Sequence, residues 1–190
     1  MRVSIFVGTS VDGFLARLDG TLDFLSAGET EGAPTGFEEF LASVDAIVMG
    51  RNTWDVVLPM SAWPYGATPV FVLSHRDLPE APAGATVERL SGEPRDVVAA
   101  LGARGFRHLY VDGGATIQAF LRAGLVRQIT VTSVPVLIGS GIALFGPLDA
   151  DIPLRHLSTR VIPGGAVQSV YEIEAPALRA AARREADRAA

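Results

Sequence analysis

Two short segments of this chain have the residue types and order needed to hold an anion. Met49-Gly50-Arg51-Asn52-Thr53 follows an apolar run and precedes a stretch with helical spacing. Gly50 permits backbone angles that a side chain would forbid. Thr53 offers a hydroxyl and an amide at the helix start, where unpaired amides and the helix dipole favour negative charge. Arg51 brings a permanent charge and a planar fork that matches phosphate. An ordinary tight turn with a solvent-facing arginine is an equal reading of this segment by itself. The second segment, Asp112-Gly113-Gly114-Ala115-Thr116, also joins an apolar run to a helical one. Its paired glycines let the backbone approach a ligand closely, and a diphosphate is the natural occupant. A plain flexible connection is the alternative.

The two turns together narrow the chemistry. If both preceding strands are parallel, both turns lie on one edge of a sheet, where ligands bind in open α/β proteins. Two anion sites on one edge suit a ligand with a diphosphate and a separate phosphate, which is the shape of NADPH. Ser74-His75-Arg76 follows a third apolar run and falls on the same edge. It is placed to frame an adenosine and add a positive group for a 2′-phosphate; a polar loop with a charged tip is its plainer reading. Neither G-x-G-x-x-G nor G-x-x-x-x-G-K-[ST] occurs, which argues against a Rossmann dehydrogenase and a P-loop enzyme. There is no cysteine, no H-E-x-x-H and no G-x-S-x-G, and His75, His108 and His156 are scattered. Thiolate chemistry and disulfides are excluded, and no metal site is expected.

These turns need a scaffold. Short apolar runs predict strands at Val3–Gly8, Ala46–Met49, Pro69–Leu73, Ala85–Leu90, His108–Val111 and Val126–Val134. Helical spacing predicts helices over Phe37–Ser43, Asn52–Leu58, Arg95–Ala103 and Thr116–Ala123. Thr9 to Leu25 reads as a Gly/Asp-rich loop. Leu157–Ile162 and Ala166–Ile173 flank Pro163-Gly164-Gly165 and read as a hairpin. The alternation predicts an α/β fold: a mostly parallel central sheet flanked by helices, with a C-terminal antiparallel β-hairpin. A length of 190 residues suits one domain, expected over 1–175. The Ala/Arg-rich stretch 176–190 is expected to be a frayed helix or disordered. A net charge of −5 with interspersed signs argues against nucleic-acid and membrane-surface partners. No apolar run approaches the length of a membrane helix, and a cytoplasmic protein is expected.

Four ordered segments carry a family resemblance. They are Ser10-Val11-Asp12-Gly13-Phe14-Leu15-Ala16, Ile47 to Trp54 with its Met-Gly-Arg-Asn-Thr-Trp core, Val72-Leu73-Ser74-His75-Arg76 and Val111-Asp112-Gly113-Gly114. In order and spacing the chain resembles the dihydrofolate reductase superfamily from Met1 to about Ile173. The nearer resemblance is to the reductase domain of the riboflavin-biosynthesis deaminase-reductase and its stand-alone relatives. It implies a dihydrofolate-reductase-like fold and an NADPH-dependent oxidoreductase. By that resemblance Arg51, Asn52 and Thr53 hold phosphates, and Ser74 and Arg76, with His75 between them, face the adenosine side. Gly113, Gly114, Ala115 and Thr116, preceded by Asp112, cradle the diphosphate. Gly8, Leu15 and Ala16 line the nicotinamide, and the loop from Thr9 to Leu25 resembles one that closes over the cofactor. The chain departs from dihydrofolate reductases in having Pro34 near their acidic pterin position. It departs from the riboflavin branch in lacking a D-N-P segment within Asp55–Met60.

Reduction of a C=N or C=O bond also needs a proton. Asp12 and Glu38 are the candidates, against a turn-forming Asp-Gly pair and a solvated helix face as plainer readings. The expected activity is hydride transfer to a small pterin-like or pyrimidine-like heterocycle. The alternatives are the riboflavin-pathway ribosylaminopyrimidine phosphate reductase, an inactive NADP(H)-binding protein, and a flavodoxin-like domain without nucleotide. The apolar run Ile129–Phe145, read as lying near a sheet edge, points to a homodimer, as does the resemblance.

Overall fold

Val3, Ile5 and Val7 alternate with Phe6 along strand β1 (Arg2–Ser10), so both faces of the strand carry apolar side chains. A strand of that kind is stable only in the middle of a covered sheet, and that is where β1 lies. The computed structural model describes residues 1–28, 34–60 and 62–174; the tail 176–190 lies outside the described residues.

The remaining strands are β2 (Phe14–Ala16), β3 (Ala46–Gly50), β4 (Val70–Leu73), β5 (Val87–Leu90), β6 (His108–Asp112), β7 (Gln128–Val134), β8 (Ile142–Ala143), β9 (Leu154–Val161) and β10 (Val167–Ile173). The helices are α1 (Phe37–Ala42), α2 (Arg51–Val57), α3 (Pro94–Ala103) and α4 (Gly114–Arg122). The main sheet has eight strands in the order β5-β4-β3-β6-β1-β7-β10-β9. The first six positions pair in parallel, and β10 is antiparallel to both β7 and β9. This is the dihydrofolate-reductase-like α/β fold expected from the sequence.

Alternation along β3 sorts the core into two layers. Val48 packs with Val111, Leu101, Ile117 and Phe120 on the side covered by α3 and α4. Ile47 and Met49 pack with Trp54, Val57 and Tyr110 on the side of α1 and α2.

Three features differ from the sequence expectation. The segment Thr9–Leu25 is not one loop. β1 continues through Thr9 and Ser10, which pair with Ser133 and Val134. Phe14 and Ala16 then form a two-stranded ribbon with β8. Asp23–Gly28 is a 3-10 helix that buries Phe24 against Val134, Ile162 and Ala166. These are polar or short-range signals that apolar periodicity does not register. Second, β7 is interior, between β1 and β10, so its apolar residues fill the core. Third, the edges are β5 and β9, and β9 starts at Leu154 and is exposed along its whole length.

Candidate functional site

β3 and β6 are neighbours, with Met49 opposite Asp112. Their carboxyl ends therefore deliver both glycine turns side by side. Gly113 has φ +88, a conformation that side chains rarely adopt. A Cβ there would collide with Oγ1 of Thr53, from the other turn. The relation is mutual: a Cβ on Gly50 would lie 2.8 Å from Oγ1 of Thr116. Each turn uses a glycine to seat the other's threonine. The start of α4 thus sits beside the first turn of α2, with Arg51 on the rim.

The guanidinium of Arg51 donates from Nε to Asp55 at 2.8 Å and from Nη1 to the Asp77 carbonyl at 3.0 Å. These bonds use two of its five N–H donors and hold the side chain along the cleft edge.

Both turns open into a cleft of about 800 Å³ that runs along the sheet edge from β4 to β10. That volume is within the usual range for ligand sites. Of the residues singled out in the sequence, Gly8, Leu15, Ala16, Arg51, Asn52, Thr53 and Asp112–Thr116 line it. Ser74, His75 and Arg76 follow β4 on the same edge but are not part of the lining. The Ser74 hydroxyl is bound within its own turn, donating to the Arg76 carbonyl at 2.7 Å and accepting from the Arg76 amide at 3.1 Å.

Asp12 and Glu38 are also outside the lining. The Asp12 carboxylate accepts the amides of Ile138 and Gly139, at 3.3 and 2.7 Å. A bond from Ser10, then these amides, hold it below its ordinary pKa. Glu38 is exposed in the first turn of α1.

The cleft contains a different acid. Asp112 ends β6, and its Oδ1 accepts the Gly113 amide at 2.8 Å. Tyr65, only 3% exposed, directs its hydroxyl to Oδ2 at 3.5 Å. Tyr110, 4% exposed and two residues earlier on the same face of β6, donates to the Phe6 carbonyl at 2.9 Å. Burial pushes the Asp112 carboxyl above its ordinary range, and the Gly113 amide only partly opposes this. Burial, then the neighbouring carboxyl, pushes both phenols well up. Tyr65 and Tyr110 therefore remain neutral donors. Sequence reading missed this trio as a unit. The i, i+2 spacing of Tyr110 and Asp112 was available as a signal, whereas Tyr65 arrives from a remote loop.

Gly92, Glu93 and Pro94, between β5 and α3, also line the cleft without a sequence signal. Among the described residues no group of three or more His, Asp or Glu is placed to hold a metal. No helix among them is long and apolar enough to cross a membrane.

Fold and cleft together define a reductase-type α/β domain of the dihydrofolate reductase kind. The chain belongs to the RibD C-terminal domain family, which matches residues 2–167. A solved structure from Shewanella sp. PV-4, provisionally named for riboflavin biosynthesis, is 38% identical with a TM-score of 0.84; the match covers 92% of this chain and 99% of that one. YwjB of Bacillus subtilis (strain 168), an uncharacterized protein, is 29% identical over 90% of this chain and 97% of its own length. Dihydrofolate reductase from Enterococcus faecalis, solved in complex with NADP(H), shares the fold at 11% identity and a TM-score of 0.59, over 91% of this chain and 96% of that one.

Proposed function

We propose that this protein is an NADPH-dependent reductase that acts on a small heterocyclic substrate. The observation that carries the reading is the interlocked pair of turns at one end of a large cleft, with a raised-pKa carboxyl at their junction. The cradle fits a dinucleotide. Gly113, Gly114 and Ala115 line the cleft at the start of α4, with Thr53 and Thr116 beside them, and a diphosphate there would meet the helix start. Arg51 and Asn52 stand at the rim for a phosphate, and Ser74, His75 and Arg76 lie further along the same edge. Gly8, Leu15 and Ala16 face the middle of the cleft, where a nicotinamide would reach. The NADP(H) complex of the E. faecalis enzyme, which has the same fold, supports this arrangement.

The cofactor, when bound, supplies a hydride. The chain's own contribution is to orient the substrate, exclude water and provide the proton. Asp112 is better placed for the proton than Asp12 or Glu38, because its carboxyl faces the cleft and burial keeps a proton on it to higher pH. Tyr65 and Tyr110, both buried, lie beside it. Family membership supports the riboflavin-pathway reductase as a second reading, which shares this cofactor and chemistry.

Titration with NADPH and NADH, followed by quenching of Trp54 and Trp63 fluorescence, tests the proposal. NADPH is expected to bind at least ~10-fold more tightly, since a charge-assisted contact contributes roughly 1.5–3 kcal/mol. Arg51→Ala should erase most of that preference. Binding of neither nucleotide would overturn the proposal.

A further inference from the structure

We infer that the substrate of this site is an uncharged, flat, largely apolar molecule and not a phosphate ester. The inference rests on the cofactor reading for which end of the cleft the substrate takes. That end is formed by β1, the 3-10 helix, α1, β7 and the turn before β10. Its lining is largely apolar; its polar side chains are the neutral hydroxyls of Thr35, Thr132 and Tyr110, with Asp112 two residues beyond Tyr110 on β6. Across the whole described lining the charged residues are Arg51, Glu93 and Asp112. Arg51 and Glu93 are at the other end.

The arginines on the flanking elements, Arg17 and Arg160, do not line the cleft. Arg17 is bound to Asp23 through Nε and Nη2, at 2.7 and 3.0 Å. Arg160 lies behind the Thr35 segment, where it donates to the Thr35 carbonyl and to Gln168, each at 2.8 Å. The chain has no lysine at all. Residues 29–33 and 61, outside the described set, read Glu-Thr-Glu-Gly-Ala and Ser and hold no cation, whereas the sequence beyond 174, also outside it, has Arg179, Arg183, Arg184 and Arg188. Among the described residues, an anion placed in this end would lose its water without gaining a partner.

The same end has a positive feature. Phe6 and Phe37 pack at 5.6 Å between ring centroids, and Phe37 meets Tyr110 at 6.3 Å. Phe6 also stacks on Phe40 at 4.9 Å. Phe6, Phe37 and Tyr110 line the cleft together with Leu25 and Val134, and this aromatic cluster suits a planar ring.

The test uses two ring systems differing in one charged group, 1,4-naphthoquinone and 1,4-naphthoquinone-2-sulfonate. Each is titrated into the full chain saturated with NADP⁺, with tryptophan quenching as readout. The neutral quinone is expected to bind at least ~10-fold more tightly, and Phe37→Ala should remove that binding. Val134→Arg, placing a cation in the same end of the cleft, should invert the preference. Tighter binding of the sulfonate to the unaltered protein would overturn the inference, and so would binding of neither. The nucleotide titration is read separately, so failure of NADP⁺ to bind sinks the cofactor reading. The quinone pair is then titrated into the nucleotide-free protein and judged by the same criteria.

Discussion

The side chain of Thr53 occupies the space that a Cβ on Gly113 would take. The two residues come from different turns, at the ends of adjacent strands, and Gly113 cannot gain a side chain while Thr53 keeps its own. Gly113→Ala imposes an unfavourable φ, which costs roughly 1–3 kcal/mol, and drives a methyl into the Thr53 hydroxyl. We expect a lower melting temperature and loss of nucleotide binding. Thr53→Ala keeps φ and removes the hydroxyl and the γ-methyl; it should leave the melting temperature near that of the unaltered protein while weakening NADPH. Equal stability of the two variants would show that the interlock is unimportant.

Asp55 competes for Arg51. The pair is an i, i+4 contact at 2.8 Å, partly exposed, so it contributes little to stability. Asp55→Asn releases the guanidinium and removes a negative charge from the phosphate approach. NADPH affinity should rise several-fold, NADH affinity should hardly change, and the gain should shrink as salt is raised. Calorimetry at two ionic strengths checks all three. A loss of NADPH affinity would mean that Asp55 positions Arg51.

Much of this was readable in the chain because the signals are local. Gly50, Gly113 and Gly114 sit at strand ends whose apolar runs are unambiguous, so the placement of the two turns on one sheet edge followed from topology. The substrate-facing end was less readable because its parts are remote in sequence. Tyr65 meets Asp112 across 47 positions, and Thr35 is held by Gln168 across 133. No periodicity encodes such pairs. The β2–β8 ribbon escaped notice for a related reason: three residues against two give no alternation to detect. The apolar run 129–145 divides: β7 is interior, whereas Leu137, Ile142 and Phe145 are exposed, and a central strand and an edge strand read alike until the sheet order is known.

The open edge of β9 bears on assembly. Its partner on one side is β10, and Leu154, Leu157 and Val161 are exposed, Val161 at 72%. A second copy offers the same edge and can pair with it about a two-fold axis. Sedimentation velocity should show a dimer that Val161→Lys weakens. A monomer at all concentrations would refute self-association through this edge.

Asp12 tests the division between structure and chemistry. Its depressed pKa follows from Ser10 and the amides of Gly139 and Ile138. A carboxyl lowered by folding stabilises above its unfolded pKa of about 3.9, and that stability is lost as pH falls through the folded value. Asp12→Ala should therefore lower the melting temperature at neutral pH and narrow the gap near pH 3. Turnover by the folded fraction should stay within a few-fold. A turnover loss of a hundred-fold or more, with stability unchanged, would make Asp12 catalytic instead.

Asp112 should behave in the opposite sense. Its carboxyl is raised by burial, so the folded protein holds this proton more tightly than the unfolded chain does. The linkage then lowers stability as pH rises from the unfolded value through the folded one. Asp112→Asn cannot ionise and escapes that loss, so its stability relative to the unaltered protein should improve between acidic and neutral pH. Activity should move the other way. If Asp112 supplies the proton, turnover of the unaltered protein declines as pH rises through the raised pKa. Asp112→Asn should then be slower by roughly 10²–10⁴-fold with that pH dependence gone, while NADPH affinity changes little. Tyr65→Phe removes a donor at 3.5 Å, so it should shift the pH midpoint without abolishing turnover. If Asp112→Asn keeps full turnover with an unchanged pH profile, the proton comes from elsewhere and the carboxyl serves only to close the Gly113 turn.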